Sequence, residues 1–400
     1  MSNGPRKPGL RGLLVLVALS MMVLLVAGCG DSDDDSSGSE GTADVAAREA
    51  QTGSAAKEAA KLGEEASERE GEPVKLPTKT IGVLNVAGGS EATKRGADAA
   101  EQAAEALGWK TIVIDAEGSP QKMTSGMTSL INQKVAGILD AAVPTAVIGK
   151  QLEEAKAAGI PVINIVGTQE ANPGIVAHYA NDPRELAQTL ADYMIEVLDK
   201  GSTIGSNTEQ LYVETDERDK QLKESLEAAG ISVEESPVEP EAVPESTARN
   251  TRAAITKNPN IAGFVGSDDR SFPAVGQVLS SQNKCGEVMN FGFYDDLLNL
   301  KTIREGCGTA VVSSPPEADS YAAVDQLAQY FARHEQISQI PKTWDELEGR
   351  IYHVPIRSAE AAEIIDAEDL PPEGQYVTPD LDFITFFHSK WEREFGVPKG

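Results

Sequence analysis

The amino-acid sequence predicts an α/β protein whose parallel sheet is built twice, in two Rossmann-like halves. Three observations support this. From Lys79 onward, apolar runs of four to seven residues alternate with helical segments, the pattern of buried parallel strands joined by crossover helices. Helices in this region stop at glycines, as at Gly108 and Gly159. One joint also recurs: "EEAKAAGIPV" (153–162) and "KESLEAAGISV" (223–233) are the same helix, glycine and strand in two places. Two such halves leave a cleft facing the C-terminal ends of both strand sets.

The elements follow in order. "TIGVLNVA" (80–87) reads as the first strand, Glu91 to Leu107 as a helix ended by Gly108, and "KTIVIDA" (110–116) as the next strand. Ser119-Pro120 supplies an N-cap residue and a proline at the first helical position, opening a helix to about Lys134. "AGILDA" and "IPVINIVG" are strands on either side of a helix over about Thr145 to Ala158. Asp182-Pro183-Arg184-Glu185 is a capping-box start for a helix to about Leu198. The rhythm resumes with a weak strand near Thr203, a helix around Asp216 to Ala229, "ISVEESPV", a helix around Ser246 to Lys257 and "IAGFVGSDD". A strand from Glu287 to Phe293, a helix from about Asp296 to Glu305 and a strand from Thr309 to Ser313 complete the second half.

The chain has 400 residues, 40% of them hydrophobic, enough for one large or two medium domains with cores. Formal charge is −28, and the first 28 residues carry only the positive Arg6, Lys7 and Arg11, which leaves the remainder at −31. Such a field repels phosphates, so nucleic acid is not an expected partner.

The N-terminus has the three parts of an export signal: basic residues, the apolar run Leu13 to Val26 broken only by Ser20, then small residues. The run is short of the ~20 residues that span a bilayer. Val26-Ala27-Gly28-Cys29 resembles a bacterial lipobox, which implies cleavage after residue 28 and acylation of Cys29, with an ordinary cleaved signal or an uncleaved anchor as the other readings. Acyl chains at ~0.8 kcal/mol per buried methylene would tether a lipoprotein to the membrane. Residues 29–77, acidic and poor in large apolar side chains, read as a disordered, solvated linker with room for transient helix between Ala43 and Arg69. The two remaining cysteines, Cys285 and Cys307, each precede a predicted strand of one βαβ unit. Neighbouring parallel strands start ~4.8 Å apart, within disulfide range, so a bond is expected in an oxidising compartment; buried free thiols are the other reading.

Residues from Thr80 to about Ala332 resemble the type I periplasmic substrate-binding proteins of ABC importers, in the ribose-binding-like branch. The marks are "TIGVLNVAGGSEATKRGADAAEQAAEALGW", "SLINQKVAGILDAAVPTAV", "EEAKAAGIPVINI", "IAGFVGSDDRSFPAVGQVL" and "NFGFYDD…TIREGCGTAVVSSP". The resemblance implies two doubly wound lobes joined by a three-crossover hinge, near His178 to Asp182, near Ser313 to Pro316 and in the tail. It implies an N-terminal lobe of 78–181 plus 315–350, a C-terminal lobe of 182–314, and a final crossover and tail over 351–400. The aromatic end "ITFFHSKWEREF" reads as ordinary packing near the hinge. The implied protein is a monomer that holds a small polar, sugar-like solute between its lobes without a cofactor and delivers it to permease subunits.

Candidate ligand contacts lie at strand ends. Gly88, Gly89 and Ser90 offer close backbone approach at a helix N-terminus, or form a plain turn. Asp140 ends an apolar strand where the family holds a polar ligand contact, and Arg218 matches the family's sugar-facing arginine, unless it is a solvated helical residue. Asp268 and Asp269 close the strand "IAGFVGS" and face a ligand or cap the next helix. Phe272 could stack on a ring face or pack in the core. Tyr294 and Asp295 follow "VMNFGF", and Ser313 and Ser314 fall where ribose-like members place a glutamine. The chain departs from sugar-binding members in its first loop, "AGGSEA", which lacks aromatics, and at Val166-Gly167 and Tyr294, where aspartates are usual. The spacing "SDDRSFPAVGQ" is more similar to autoinducer-2- and rhamnose-binding members.

No catalytic constellation stands out. The four histidines are scattered without metal spacing, and G-x-S-x-G, P-loop and G-x-G-x-x-G motifs are missing. S-x-x-K matches such as those at Ser54 and Ser119 have no K-T-G partner. An enzyme is therefore not expected, and a repressor is disfavoured by the acidic, lipid-modified head. A lipid-anchored sensory module that presents its ligand to a membrane receptor or kinase is the alternative function.

Overall fold

The computed structural model describes residues 57, 59–65, 72–167, 170, 172–180, 182–337, 363–377 and 382–398. Cys29 and the export signal lie outside the described residues. In the first lobe run β1 (Thr80–Asn85), α1 (Glu91–Ala106), β2 (Lys110–Asp115), α2 (Pro120–Asn132), β3 (Ile138–Ala141), α3 (Thr145–Ala157), β4 (Val162–Val166) and β5 (Ile175–Ala180). The strands are parallel in the order β2-β1-β3-β4-β5. β5 is a fifth strand beyond those the apolar runs predict. Its burial alternates along "IVAHYA" because it forms an edge, whereas β4 is buried throughout.

The second lobe continues with α4 (Pro183–Val197), β6 (Thr203–Thr208), α5 (Val213–Ala229), β7 (Ser232–Pro237), α6 (Val243–Lys257), β8 (Gly263–Gly266), α7 (Ser271–Ser281), β9 (Met289–Phe293), α8 (Leu297–Arg304) and β10 (Ala310–Ser313). Then come α9 (Pro316–Arg333), β11 (Glu363–Ile365) and α10 (Phe383–Phe395). The sheet order is β11-β10-β9-β8-β6-β7, parallel except for β11, which runs antiparallel to β10. In each lobe the winding reverses next to the first strand, which opens a crevice at the carboxyl ends. Cys285 and Cys307 form a disulfide across the starts of β9 and β10, with Cα atoms 4.4 Å apart.

Packing explains the layers. Alanines 97, 100 and 104 of α1 are buried against α9, and their small side chains let the two helices approach closely. Gly96 completes that face, since a Cβ there would lie 2.2 Å from Val166 Cγ2. Met123, Met127 and Leu130 of α2 cover the other side of the sheet with Ile148 and Leu152 of α3. In the second lobe α4 and α5 pack one face, while α6 and α7 pack the other.

The chain passes between lobes from β5 to α4 through Asp182, whose carboxylate accepts from Arg184 N at 2.9 Å, and from β10 to α9 through Ser314 and Pro315. A third passage joins α9 to β11. The described part of the tail serves both lobes, because β11 joins the second sheet and α10 packs on the first lobe. Its aromatic residues Phe386, Phe387 and Trp391 are fully buried against α9, and the Trp391 ring stacks on Tyr321 at 5.9 Å. Lys390 is fully buried as well, with Nζ 2.8 Å from both Asp325 oxygens, and Trp391 Nε1 donates to the same carboxylate.

The linker reaches the body sooner than its composition suggests. Ala59 is fully buried, Leu62, Val74 and Leu76 pack on the same cluster, and Val74 N donates to Glu394 O at 2.8 Å. The small and apolar residues there pack on the side of α10 that carries Phe386 and Ser389; a Cβ at Gly63 would strike Phe386 O. A linker fully solvated up to residue 77 is therefore corrected.

Candidate ligand-binding site

The strand ends of both lobes line one cavity of about 60 Å3. One water needs only ~10–15 Å3 on such a measure. The first lobe contributes Val86, Ala87, Ser90, Ala92, Thr93, Ala142 and Val166. The second contributes Tyr212, Glu214, Thr215, Arg218, Ser267, Asp268, Asp269, Arg270 and Tyr294.

The polar groups form three sets. In the first, Arg218 is 2% exposed and its Nη2 pairs with Glu214 Oε1 one helical turn earlier. The same Nη2 donates to Tyr294 Oη at 2.6 Å, Nη1 donates to Ser267 O at 3.2 Å, and Tyr294 Oη donates to Glu214 Oε1 at 2.8 Å. Arg218 lies over the Phe293 ring at 4.5 Å, and its Nε is buried with no hydrogen-bond partner among the described residues. Gly167 makes room for Glu214, because a Cβ there would sit 2.3 Å from Glu214 Oε2.

In the second set, Asp268 accepts from Arg270 N, Nε and Nη2 at 2.8, 2.9 and 2.6 Å. Burial would raise its carboxyl, but the Arg270 charge and these bonds hold it below the usual carboxylate range. Glu209, fully buried beside the pair, is driven the opposite way by burial and by the Asp268 charge, against the lowering effect of Arg270.

In the third set, Asp269 of the second lobe reaches the first. Its Oδ2 accepts from Ser90 Oγ at 2.9 Å, Glu91 N at 3.0 Å and Ala92 N at 3.5 Å, and so caps α1 from across the cleft. Outside the cavity, Arg95 of α1 lies 3.0 Å from Asp295 Oδ1, 3.1 Å from Asp296 Oδ1 and 2.7 Å from Glu317 Oε1. Tyr376 covers it at 4.1 Å and donates to Glu91 Oε1 at 2.6 Å.

Three lining residues that are not glycine have left-handed backbone: Ala142 (φ 61°), Val166 (φ 72°) and Tyr294 (φ 68°). Each ends or follows a strand. A β-branched or aromatic residue at such φ stores ~1–3 kcal/mol, the kind of strain found where ligands are gripped.

Of the residues the sequence singles out, Ser90, Arg218, Asp268, Asp269 and Tyr294 come together here. The others do not line the cavity. Gly88 backs onto Asp115, its N–H donating to Oδ1 at 2.9 Å, and Gly89 is exposed at the turn. Asp140 is fully buried in the sheet, level with Asn164 and His178 on the neighbouring strands; its Oδ1 accepts from Val143 N. Phe272 is no ring platform: it packs with Leu300, Ile303, Val311 and Ile365 beneath the loop. Asp295 belongs to the Arg95 node, while Ser313 and Ser314 are buried at the passage into α9. Glu214, Thr215, Arg270, Tyr212 and Thr93 are additional. The spacing of Glu214 and Arg218, one turn apart beside a predicted strand end, is the signal that could have found that pair. Among the described residues no group of three or more acidic, histidine or cysteine side chains is placed to hold a metal ion.

The periplasmic binding protein domain family matches residues 81–335. The chain is 27% identical over 250 residues to the D-apiose import binding protein of Actinobacillus succinogenes, covering 59% of this chain and 77% of the relative. An ABC transporter solute-binding protein from Mycobacterium smegmatis, solved with glycerol, superposes with a TM-score of 0.63 at 18% identity, over 76% of this chain and all of that one. A carbohydrate transporter solute-binding protein from Agrobacterium radiobacter, solved with D-arabinose, gives 0.61 at 16% identity, over 74% and 96%. These likenesses show a shared fold of two parallel-sheet lobes. With the family covering well over half its length and a polar cavity between lobes of that fold, the chain belongs to the periplasmic binding protein domain family.

Proposed function

We propose that the protein is an extracytoplasmic solute-binding lipoprotein of an ABC importer, taking a small neutral sugar or polyol between its lobes and delivering it to membrane permease subunits. The observation that carries this reading is a cavity whose charged wall belongs to one lobe and whose opposite wall belongs to the other, fastened by Asp269 on Ser90. A solute touching both walls favours the closed arrangement by the difference in its affinity for the two states. The relatives named for binding D-apiose and D-xylose support the class of solute, and their names describe binding rather than conversion. The lipobox-like sequence supports attachment through Cys29 to the outer face of the cell membrane.

A thermal-shift screen of the full chain against sugars, polyols, nucleosides and amino acids tests the solute. A saturable rise in Tm with a sugar or polyol is expected. A rise confined to nucleosides or amino acids would overturn the class. Labelling of growing cells with an alkynyl fatty acid, lost in Cys29→Ala, tests the anchor.

A further inference from the structure

We infer that the solute is facially amphipathic: a sugar or polyol with hydroxyl groups on one side and a deoxy carbon or methyl group on the other. This rests on the sugar-binding reading above and narrows it. The first-lobe wall presents carbon, through Val86, Ala87, Ala92, Ala142 and Val166. Its hydrogen-bond donors are already committed within the protein. Val86 N donates to Ala141 O, Ala87 N to Asn85 Oδ1 and Ala142 N to Ile165 O. The α1 N-terminus, the natural donor set of such a loop, is taken by the Asp269 carboxylate, and Thr93 Oγ1 donates to Ala87 O at 2.8 Å.

The second-lobe wall is the reverse. It holds Glu214, Asp268, Asp269, Arg218 and Arg270, and the buried Arg218 Nε–H has no acceptor among the described residues. A solute oxygen is the acceptor that this N–H lacks. A hydroxyl turned toward the first lobe would lose water without gaining a donor, whereas a methyl there gains burial. The left-handed backbone at Ala142 and Val166 fixes these carbons in the wall, and Val166 is further held by Gly96 behind it. Tyr212 and Tyr294, the aromatic residues of the lining, both belong to the second-lobe wall, and the Tyr294 hydroxyl is tied to Arg218 and Glu214, so the first-lobe wall selects by carbon rather than by ring stacking.

Calorimetric titration of the full chain with matched pairs tests this: D-fucose against D-galactose, L-rhamnose against L-mannose, and 2-deoxy-D-ribose against D-ribose. In at least one pair the deoxy member is expected to bind about tenfold tighter or more, the ratio set by one buried hydroxyl left without a partner. Val166→Thr exchanges a wall methyl for a hydroxyl at nearly constant shape and should narrow that ratio; Ala142→Ser serves if the first variant does not fold. Parent sugars binding as tightly as their deoxy partners, or tighter, would overturn the inference and leave the sugar-binding reading standing. A ratio unmoved in the folded wall variant would overturn it equally. If none of the six sugars binds, the inference falls, and the sugar reading is decided by the thermal-shift screen of sugars, polyols, nucleosides and amino acids.

Discussion

Asp269 caps a helix that belongs to the other lobe. Its Oδ2 stands 2.9 Å from Ser90 Oγ and 3.0 Å from Glu91 N, so the first turn of α1 is completed only when the cleft is shut. The same carboxylate lines the ligand cavity. One group therefore lines the cavity and joins the lobes, which under the proposed function ties closure to occupancy.

Asp269→Ala should weaken the closed state, because Ser90 Oγ and two backbone N–H groups lose a charged acceptor. Hydrogen bonds to charged groups contribute ~1.5–3 kcal/mol each, so solute affinity should fall by at least about tenfold. Asp269→Asn keeps an acceptor oxygen and should lose less. Calorimetry on both variants checks this, and equal affinity in Asp269→Ala would remove the residue from the clasp.

Arg95 is the second interlobe tie. It is 7% exposed and faces Asp295, Asp296 and Glu317, so removing its charge leaves acidic groups packed together without a counter-ion. Breaking a buried pair from one side costs ~3–5 kcal/mol. Arg95→Met should lower the urea midpoint accordingly, and Tyr376→Phe, which deletes one hydrogen bond to Glu91, should cost only about 1 kcal/mol.

The fold was legible because parallel strands buried on both faces leave unbroken apolar runs, and helices in βα units end at glycines such as Gly230 (φ 87°). The site was only partly so. Ser90, Asp268 and Tyr294 sit directly at strand ends, where the fold places ligands whatever the side chain. Glu214 and Arg270 hide in segments that read as solvated helix and turn, since their burial comes from the opposite lobe. Phe272 misled because an aromatic at a strand-end helix suits stacking. Its spacing with Val275 and Leu279, which share the buried side of α7, marked it as core. Asp140 was placed at a strand end, but all four residues of β3 are buried, and the pleat turns its side chain onto the face shared with Ile138 rather than toward the cleft.

The tail is fastened by charge within a greasy seam. Lys390→Met should destabilise the protein by ~3–5 kcal/mol, as Asp325 and Glu394 lose their buried ammonium partner. Pairing it with Asp325→Asn should recover part of the loss. A urea-denaturation double-mutant cycle on the four proteins measures the coupling, and additive losses would show that the pair contributes nothing beyond its packing.

Asp140 gives stability a pH dependence opposite to that of most carboxylates. Burial raises its carboxyl to about 8, against which the single bond from Val143 N is a small opposing effect. The unfolded chain titrates near its ordinary value of ~3.9, so between that pH and about 8 the folded state binds more protons than the unfolded one. The contribution of Asp140 is complete below the lower value and is lost as pH rises through the upper, at up to ~1.4 kcal/mol per pH unit. Asp140→Asn keeps the acceptor for Val143 N and cannot ionise. Its stability relative to the parent should therefore climb from about pH 4.5 to about pH 8 in urea denaturation. Parallel pH profiles for the two proteins would mean that Asp140 ionises freely in the folded state, and would contradict its sealed position in the sheet.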